Sequence, residues 1–229
     1  LARKKLGGFE TPLMTRFVIY HQARTGSTMI QSALDTHPQI TCAEELFHEH
    51  VKRSKGTSAR RYLERKLFER HDTEAIGFKL QGYQATEEIN RLLVNDGYRV
   101  ILPYRRDRLE QYVSYLVAMK SGEWIRRDGP AFDLVQVHVN PDSFEDWVKG
   151  QQDKEDEIRR TVENLPTISV YYEDILADWD DHMNRLQAFL GVDPVELKPT
   201  TQKGRTRPLN EWVANWDDVA HLAKEDRWV

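Results

Sequence analysis

A short turn between a predicted strand and a predicted helix constrains the fold of this chain more than any other feature. Residues 17–20 form an apolar run typical of a buried β-strand, and residues 27–35 have apolar side chains at helical spacing. Gly26 lets the backbone turn tightly and approach a ligand, and Ser27 and Thr28 provide hydroxyls where the helix begins. The first N–H groups of such a helix are unpaired and lie at the positive end of its dipole. The turn is therefore suited to binding an anion.

Arg24 adds a planar guanidinium to the same turn, and this group binds phosphate well. The turn departs from the GxxxxGK[ST] pattern, because no lysine precedes Ser27 and the spaced first glycine is missing. An ordinary capped turn with a solvent-exposed arginine is the alternative interpretation. We predict a phosphate-binding turn that differs from that of common NTPases.

A second phosphate-binding signal follows the predicted strand 99–104. Arg106 comes directly after this strand, and Ser114 lies eight residues later on a predicted amphipathic helix. These two side chains could hold one phosphate from two sides, although paired arginines are usually solvated. Two phosphate-binding signals in one chain of alternating strands and helices are much stronger evidence than either signal alone.

The alternation of strands and helices predicts a single α/β domain. We expect a P-loop-like three-layer sandwich in which helices flank a central, mainly parallel sheet. The predicted strands are 17–20, 75–80, 99–104 and 167–172. The predicted helices are 27–35, 58–70, 86–95, 108–121, 143–163 and 179–190. Residues 1–15 are predicted to form an N-terminal extension, 16–229 the domain, and 122–142 a long loop that acts as a lid or as one wall of a binding site.

Composition excludes several classes of partner. The net charge of −4 gives no overall attraction to nucleic acid. Cys42 is the only cysteine, so no disulfide within the chain can form. No apolar stretch approaches the ~20 residues needed to cross a bilayer, and the start of the chain lacks the apolar segment of a secretion signal. His48 and His50 lack a third ligand, so we predict no metal site. The single cysteine is compatible with a reducing cytoplasm, and we predict a cytoplasmic protein.

Several segments together resemble one enzyme superfamily. Residues 24–28 resemble the 5′-phosphosulfate loop of sulfotransferases that use 3′-phosphoadenosine 5′-phosphosulfate (PAPS), and Arg106 with Ser114 resembles their 3′-phosphate site. The chain is most similar to bacterial carbohydrate sulfotransferases of the nodulation-factor type. The further matching segments are 37–40, 44–47, 77–80, 111–114, 172–175, 189–192 and 203–209. Two departures are Glu44, where the family has glycine, and residues 122–143, which match nothing.

The resemblance implies a transferase that moves a sulfuryl group from PAPS to a hydroxyl of a carbohydrate or small molecule. The product of the donor would be adenosine 3′,5′-bisphosphate (PAP), and no metal is expected. The residues implied to contact the cofactor are Arg24, Thr25, Gly26, Ser27, Thr28, Arg106, Ser114, Lys203 and Arg205. Arg24 would also stabilise the leaving phosphate as its charge grows. Lys203 and Arg205 belong to a basic loop that either closes over the nucleotide or is a solvated charge run.

The predicted catalytic residues are Glu45, Arg24 and Lys79. Glu45 occupies the acidic position of the related enzymes, so we expect it to be the general base, with Glu44 as the rival. A solvated acidic turn is the alternative for both. Lys79 ends a predicted strand, where α/β sheets bind their ligands, and would stabilise the transferring group. It could instead be an ordinary polar residue at a strand end.

Two other functions are compatible with part of the pattern. A P-loop kinase-like phosphotransferase would share the turn, but it would need the missing lysine and an acidic strand end. A catalytically idle nucleotide-binding protein would not need Glu45 as a base. The oligomeric state and the particular acceptor are not encoded in any pattern that we recognise.

Overall fold

The computed structural model describes residues 3–6, 9–12, 14–48, 57–70, 73–126, 130–131 and 133–223. Its strands are β1 Arg3–Leu6, β2 Phe9–Pro12, β3 Thr15–His21, β4 Ile40–Glu45, β5 Ala75–Gln81, β6 Arg99–Tyr104 and β7 Thr167–Tyr171. The main sheet has five parallel strands in the order β4-β5-β3-β6-β7, and a separate antiparallel pair is formed by β1 and β2.

Helices cover both faces of this sheet. They are α1 Ser27–Leu34, α2 Ala59–Lys66, α3 Glu87–Asn95, α4 Arg108–Ser121, α5 Pro141–Val162, α6 Tyr172–Ala177, α7 Trp179–Leu190, α8 Leu209–Trp212 and α9 Trp216–Val219. The predicted α/β fold with a parallel sheet is confirmed. Strand β3 lies at the centre, with β5 on one side and β6 on the other, so the chain reverses its strand order beside β3. Ligands of open α/β sheets bind outside the carboxyl ends of the strands at such a reversal.

The central strand is buried on both faces, which explains its continuous apolar sequence. Val18 and Tyr20 belong to one core cluster, which includes residues of α2, α3 and α5. Phe17 and Ile19 belong to the opposite cluster, which includes residues of α1, α6 and α7. A third cluster joins α4 to α8, α9 and the start of α5. The C-terminal helices therefore support α4, which in turn borders the carboxyl ends of the strands.

Some elements differ from the sequence-based expectation. Strand β4 was not predicted, because its alternation of buried Ile40 and Cys42 with polar residues is brief. Two strands lie within the predicted N-terminal extension, and α6 directly follows β7. Helix α5 begins at Pro141, inside the predicted loop 122–142, because the Asn140 side chain caps it by accepting a hydrogen bond from the Ser143 N–H at 2.9 Å.

Candidate active site

The turn between β3 and α1 has an unusual backbone. Arg24 has a φ of 63° and Gly26 a φ of 83°, both in the left-handed region. This conformation is uncommon for a residue other than glycine and is often found at ligand sites. The Thr25 hydroxyl donates to the Gln22 carbonyl at 3.0 Å and braces the turn. A side chain at Gly26 would overlap the ring of Tyr172, because its Cβ would lie 2.6 Å from Cδ2.

The Arg24 guanidinium is held by two later parts of the chain. Its Nε donates to Ser114 Oγ at 2.9 Å, and its Nη1 donates to the Trp124 carbonyl at 2.6 Å. Burial, together with the positive charges of Arg105 and Arg205, lowers the pKa of Arg24 to about 10. The group is still protonated at neutral pH. A buried cation whose pKa is lowered in this way would be stabilised by a bound anion.

A cavity of about 300 Å³ opens beside Arg24. It is bordered by the turn, by α4, by the segment after α4 and by residues 199–205. Its charged lining residues are Arg24, Arg105, Arg126, Lys203, Arg205, Glu110 and Glu123. Cations therefore outnumber carboxylates in this cavity, although the whole chain is acidic. We call this cavity the phosphate pocket, because its lining suits an anion of high charge.

Glu110 is the main counter-ion of the phosphate pocket. Its carboxylate lies 3.1 Å from Arg105, 3.0 Å from Lys203 and 3.3 Å from Arg205. Burial acts to raise the pKa of Glu110, but these three cations outweigh it and the net pKa is lowered. Glu110 thus ties the basic loop that contains Lys203 and Arg205 to α4. Sequence reasoning missed Glu110, because nothing in the pattern distinguishes it from a solvated glutamate on a helix.

The two adjacent arginines after β6 point to different places. Arg105 lines the phosphate pocket with Ser114, and its guanidinium lies 4.4 Å from the centre of the Tyr172 ring. Arg106 does not line this pocket. Its Nη2 donates to Asp174 Oδ2 at 2.8 Å, and its guanidinium lies 4.0 Å from the Tyr171 ring centre. The structure therefore brings Ser114 together with Arg105, and not with the predicted partner Arg106.

A second group of polar residues lies at the carboxyl ends of β3, β4 and β5. Lys79 Nζ donates to Thr28 Oγ1 at 2.8 Å and lies 3.6 Å from Glu45 Oε1. The Gln84 amide donates to Glu45 Oε2 at 2.7 Å. Burial lowers the pKa of Lys79, and the charge of Glu45 opposes this shift. We call His21, Glu45 and Lys79, with the Gln84 amide, the strand-end cluster.

A β-bulge decides which of the two adjacent glutamates joins the strand-end cluster. The pairing of β4 with β5 shifts register between Ala43 and Glu45, so that Glu45 pairs with Lys79. Glu44 is the extra residue and is exposed. Bulges commonly redirect a side chain in this way. The geometry therefore separates the two glutamates, whereas their adjacency in the sequence left both as candidates.

The strand-end cluster and the phosphate pocket meet at α1. Thr28 contacts Lys79 and also lines the phosphate pocket. This arrangement places a carboxylate and an ammonium group beside an anion site, so a hydroxyl could lose its proton there while a neighbouring anion is transferred.

The remaining candidates fall outside these two groups or cannot be placed. The His48 ring packs edge-on against Tyr83 with centroids 6.4 Å apart, while His50 lies outside the described residues. Within the described ranges, no group of three His, Cys, Asp or Glu side chains is arranged to hold a metal ion. No helix in the same ranges is long and apolar enough to cross a bilayer.

The fold matches that of a known class of proteins. A crystal structure of a sulfotransferase from Alicyclobacillus acidocaldarius superposes with a TM-score of 0.53, covering 93% of each chain at 12% sequence identity. A mouse sulfotransferase complexed with PAP superposes with a TM-score of 0.51 at 14% identity, covering 80% of this chain and 60% of the other. The protein therefore has the sulfotransferase fold.

Sequence comparison narrows the relationship. Nodulation protein H of Rhizobium tropici is 23% identical over 217 residues, which cover 89% of this chain and 87% of that protein. Nodulation protein H of Rhizobium meliloti is 22% identical over 224 residues, covering 90% and 91%. No protein-family model matches the chain. The chain is thus a distant homologue of nodulation protein H, and the predicted resemblance is confirmed at that level.

Proposed function

We propose that this protein is a PAPS-dependent sulfotransferase that acts on a hydroxyl group of a carbohydrate or small molecule. The observation that carries this proposal is the junction at Thr28, where the phosphate pocket meets the strand-end cluster. The fold and the distant homology to nodulation protein H support the transferase class.

The phosphate pocket fits a nucleotide with phosphates at two positions. The turn of residues 24–28 and the N-terminus of α1 suit the 5′-phosphate, because backbone N–H groups and Arg24 converge there. Arg105 and Ser114 suit the 3′-phosphate, with Arg105 in the place of Arg106, which the sequence suggested as the partner of Ser114. Lys203 and Arg205 border the same space and would complete the neutralisation of this anion.

The residues of the strand-end cluster suit the acceptor side of the reaction. PAPS supplies the sulfuryl group when it is bound. Glu45 accepts the proton of the acceptor hydroxyl, because its carboxylate is partly exposed while its position is fixed by Gln84. Lys79 holds Thr28 and offers positive charge beside the transferring group. Arg24 stabilises the phosphate that gains charge as the leaving group.

A binding experiment tests the cofactor assignment. PAP should raise the melting temperature of the protein, since a ligand that binds only the folded state stabilises it. ATP lacks a 3′-phosphate for Arg105 and Ser114, so it should stabilise the protein far less, with or without magnesium. Equal stabilisation by ATP would favour a kinase-like phosphotransferase and contradict the proposal.

A transfer experiment tests the reaction. The protein would be incubated with PAPS labelled in the sulfuryl group and with two acceptor pools, one of oligosaccharides and one of small hydroxyl compounds. Label should appear in one pool with the wild-type protein and be almost absent with Glu45→Gln. PAP binding without transfer to either pool would favour an idle nucleotide-binding protein.

A further inference from the structure

The buried histidine of the strand-end cluster also contacts Ser27, which lines the phosphate pocket, and has no role in the reaction as described so far. His21 ends β3 and is 3% exposed. Its Nδ1 lies 3.0 Å from the Gln22 carbonyl oxygen and 3.1 Å from Ser27 Oγ. Its Nε2 is buried and has no hydrogen-bond partner within the described part of the chain. The Nε2 atom lies 3.7 Å from Glu45 Oε1.

The surroundings of the ring indicate which nitrogen carries the proton. A carbonyl oxygen only accepts hydrogen bonds, so the contact with Gln22 requires Nδ1 to be the donor. The charged groups that face the ring are Glu45 from β4 and Lys79 from β5, and Ser27 from α1 is neutral. Burial and the charge of Lys79 lower the pKa of His21 to about 4, so the ring is neutral at neutral pH.

A neutral ring with its proton on Nδ1 presents the lone pair of Nε2 to Glu45. While Glu45 is ionised, two acceptors face each other and no hydrogen bond forms between them. A buried acceptor without a donor is unfavourable. A donor becomes available at this position only when Glu45 itself carries a proton.

We propose that His21 is a positioning residue for the general base: its Nε2 accepts a hydrogen bond from the Glu45 carboxyl group after Glu45 has taken the proton of the acceptor hydroxyl. This inference rests on the proposed function. In the step concerned, the bond between the acceptor oxygen and sulfur forms and the bond between sulfur and the bridging phosphate oxygen breaks. The acceptor proton moves to Glu45, the leaving phosphate keeps the electron pair of the broken bond, and His21 gains no proton.

The energetic consequence is a preference for the protonated state of Glu45 at the moment of transfer. Lys79 and Gln84 stabilise the ionised carboxylate before the reaction. The hydrogen bond to His21 forms as the proton moves onto Glu45, so it contributes to the transition state and not to the ground state. Interactions of this kind raise turnover and leave substrate binding nearly unchanged.

The first test determines the tautomer of His21 in the full chain without any substrate. Nitrogen NMR of ¹⁵N-labelled protein at pH 7 distinguishes protonated from unprotonated ring nitrogens. We expect a neutral ring with the proton on Nδ1 and none on Nε2, and His21→Gln identifies the signal. A proton on Nε2 would overturn the inference, because that nitrogen would then donate to the ionised carboxylate.

The second test measures the reaction. In the His21→Gln variant, the new side chain can turn an amide N–H toward the ionised Glu45. The histidine ring cannot do so, because its N–H donates to the Gln22 carbonyl. We expect kcat to fall roughly ten-fold, a change typical of one lost hydrogen bond, while the KM for PAPS stays nearly constant. The acidic limb of the kcat–pH profile should move to lower pH, since the ionised form of Glu45 is now favoured.

His37→Gln is the matched control for this variant. His37 is also a buried histidine, and its Nε2 contacts the Asp193 carbonyl away from the site. It should lose stability without any shift of the pH profile. An unshifted profile in His21→Gln would overturn the inference. If the wild-type protein transfers no sulfuryl group, the proposed function fails, and the tautomer measurement still decides whether His21 Nε2 can accept a hydrogen bond from a protonated Glu45.

Discussion

The phosphate pocket and the strand-end cluster adjoin each other, but they are built in different ways. The phosphate pocket gathers Arg24, Arg105 and Arg205 from three distant parts of the chain, and their charges repel one another. The strand-end cluster uses the ends of adjacent parallel strands, where Glu45 pairs in register with Lys79. Its opposite charges are close to balance.

The phosphate pocket therefore needs a bound anion to balance its charge, whereas the charges of the strand-end cluster are already balanced within the fold. Burial, together with repulsion from neighbouring cations, lowers the pKa values of Arg24 and Arg205. A bound anion reverses this effect, so the phosphate pocket is expected to gain stability from its ligand. The strand-end cluster is held by backbone pairing and by hydrogen bonds from Gln84 and Lys79, so its geometry should not depend on a ligand.

The largest expected effect tests whether the strand-end cluster determines turnover without affecting the binding of PAP. Glu45→Gln keeps the size of the side chain and removes its basicity, so turnover should fall by roughly 10²–10⁴-fold. PAP affinity should hardly change, because Glu45 does not line the phosphate pocket. Single-turnover rates at saturating PAPS and a titration with PAP measure the two quantities.

Glu44→Gln is the matched control for this prediction. Glu44 is exposed on the other side of the bulge, so both turnover and PAP affinity should stay close to those of the wild type. A severe loss of turnover in Glu44→Gln, with Glu45→Gln active, would show that the bulge does not select the base.

A second prediction concerns the stability of the strand-end cluster at low pH. The pKa of His21 is about 4 in the folded protein and 6.5 in its ordinary range, so the unfolded chain binds more protons between these values. The free energy of unfolding should therefore be at its full value above pH 6.5 and fall as the pH approaches 4. The loss attributable to His21 should be up to roughly 3 kcal/mol.

Urea unfolding of the wild type and of His21→Gln at several pH values between 4 and 7 tests this prediction. The variant should lack the part of the pH dependence that His21 contributes, although other buried groups keep theirs. Identical slopes for both proteins would mean that the pKa of His21 is the same in the folded and the unfolded protein, and the strand-end cluster would then be less shielded from water than its burial indicates.

The same contrast explains how much of the molecule the sequence could predict. The tight turn after β3 and the parallel sheet follow from local patterns, since the apolar run 17–20 and Gly26 signal them directly. Lys79 could be placed because strand ends meet at one edge of a sheet. The bulge that selects Glu45 depends on pairing between β4 and β5, and β4 itself was missed.

The phosphate pocket was harder to predict because its side chains come from parts of the chain that are distant in sequence. Spacing suggested Arg106 as the partner of Ser114, yet adjacent residues point in different directions, and α6 supplies Asp174 to bind Arg106. Nothing local to residues 105–107 encodes that contact, because Asp174 belongs to a helix nearly seventy residues later. His21 was overlooked for a similar reason, since its neighbours Glu45 and Lys79 meet it only in the folded sheet.

A third prediction sharpens the assignment within the phosphate pocket. Arg105→Ala should reduce PAP affinity by roughly 10–100-fold, because a hydrogen bond to a charged group contributes about 1.5–3 kcal/mol. Arg106→Ala should have little effect, since its side chain is paired with Asp174 outside this pocket. Isothermal titration with PAP compares the two variants at one salt concentration. A larger loss of PAP affinity in Arg106→Ala than in Arg105→Ala would instead assign the 3′-phosphate to Arg106, as the sequence spacing suggested.

The smallest expected effect tests whether the phosphate pocket requires glycine at position 26, where the backbone is left-handed. Gly26→Ala should destabilise the protein by roughly 1–2 kcal/mol, since a left-handed backbone is unfavourable for alanine. Its Cβ would also press on the Tyr172 ring, which stacks on Arg105, so PAP affinity should fall as well.

Gly97→Ala is the matched control, because Gly97 also has a positive φ, of 62°, but has nothing within 4 Å of its Cβ position. Urea unfolding and PAP titration should show a similar backbone effect in both variants and a loss of affinity in Gly26→Ala alone. Equal PAP affinities would mean that Tyr172 moves aside without disturbing Arg105, and the phosphate pocket would then be more adaptable than its packed lining indicates.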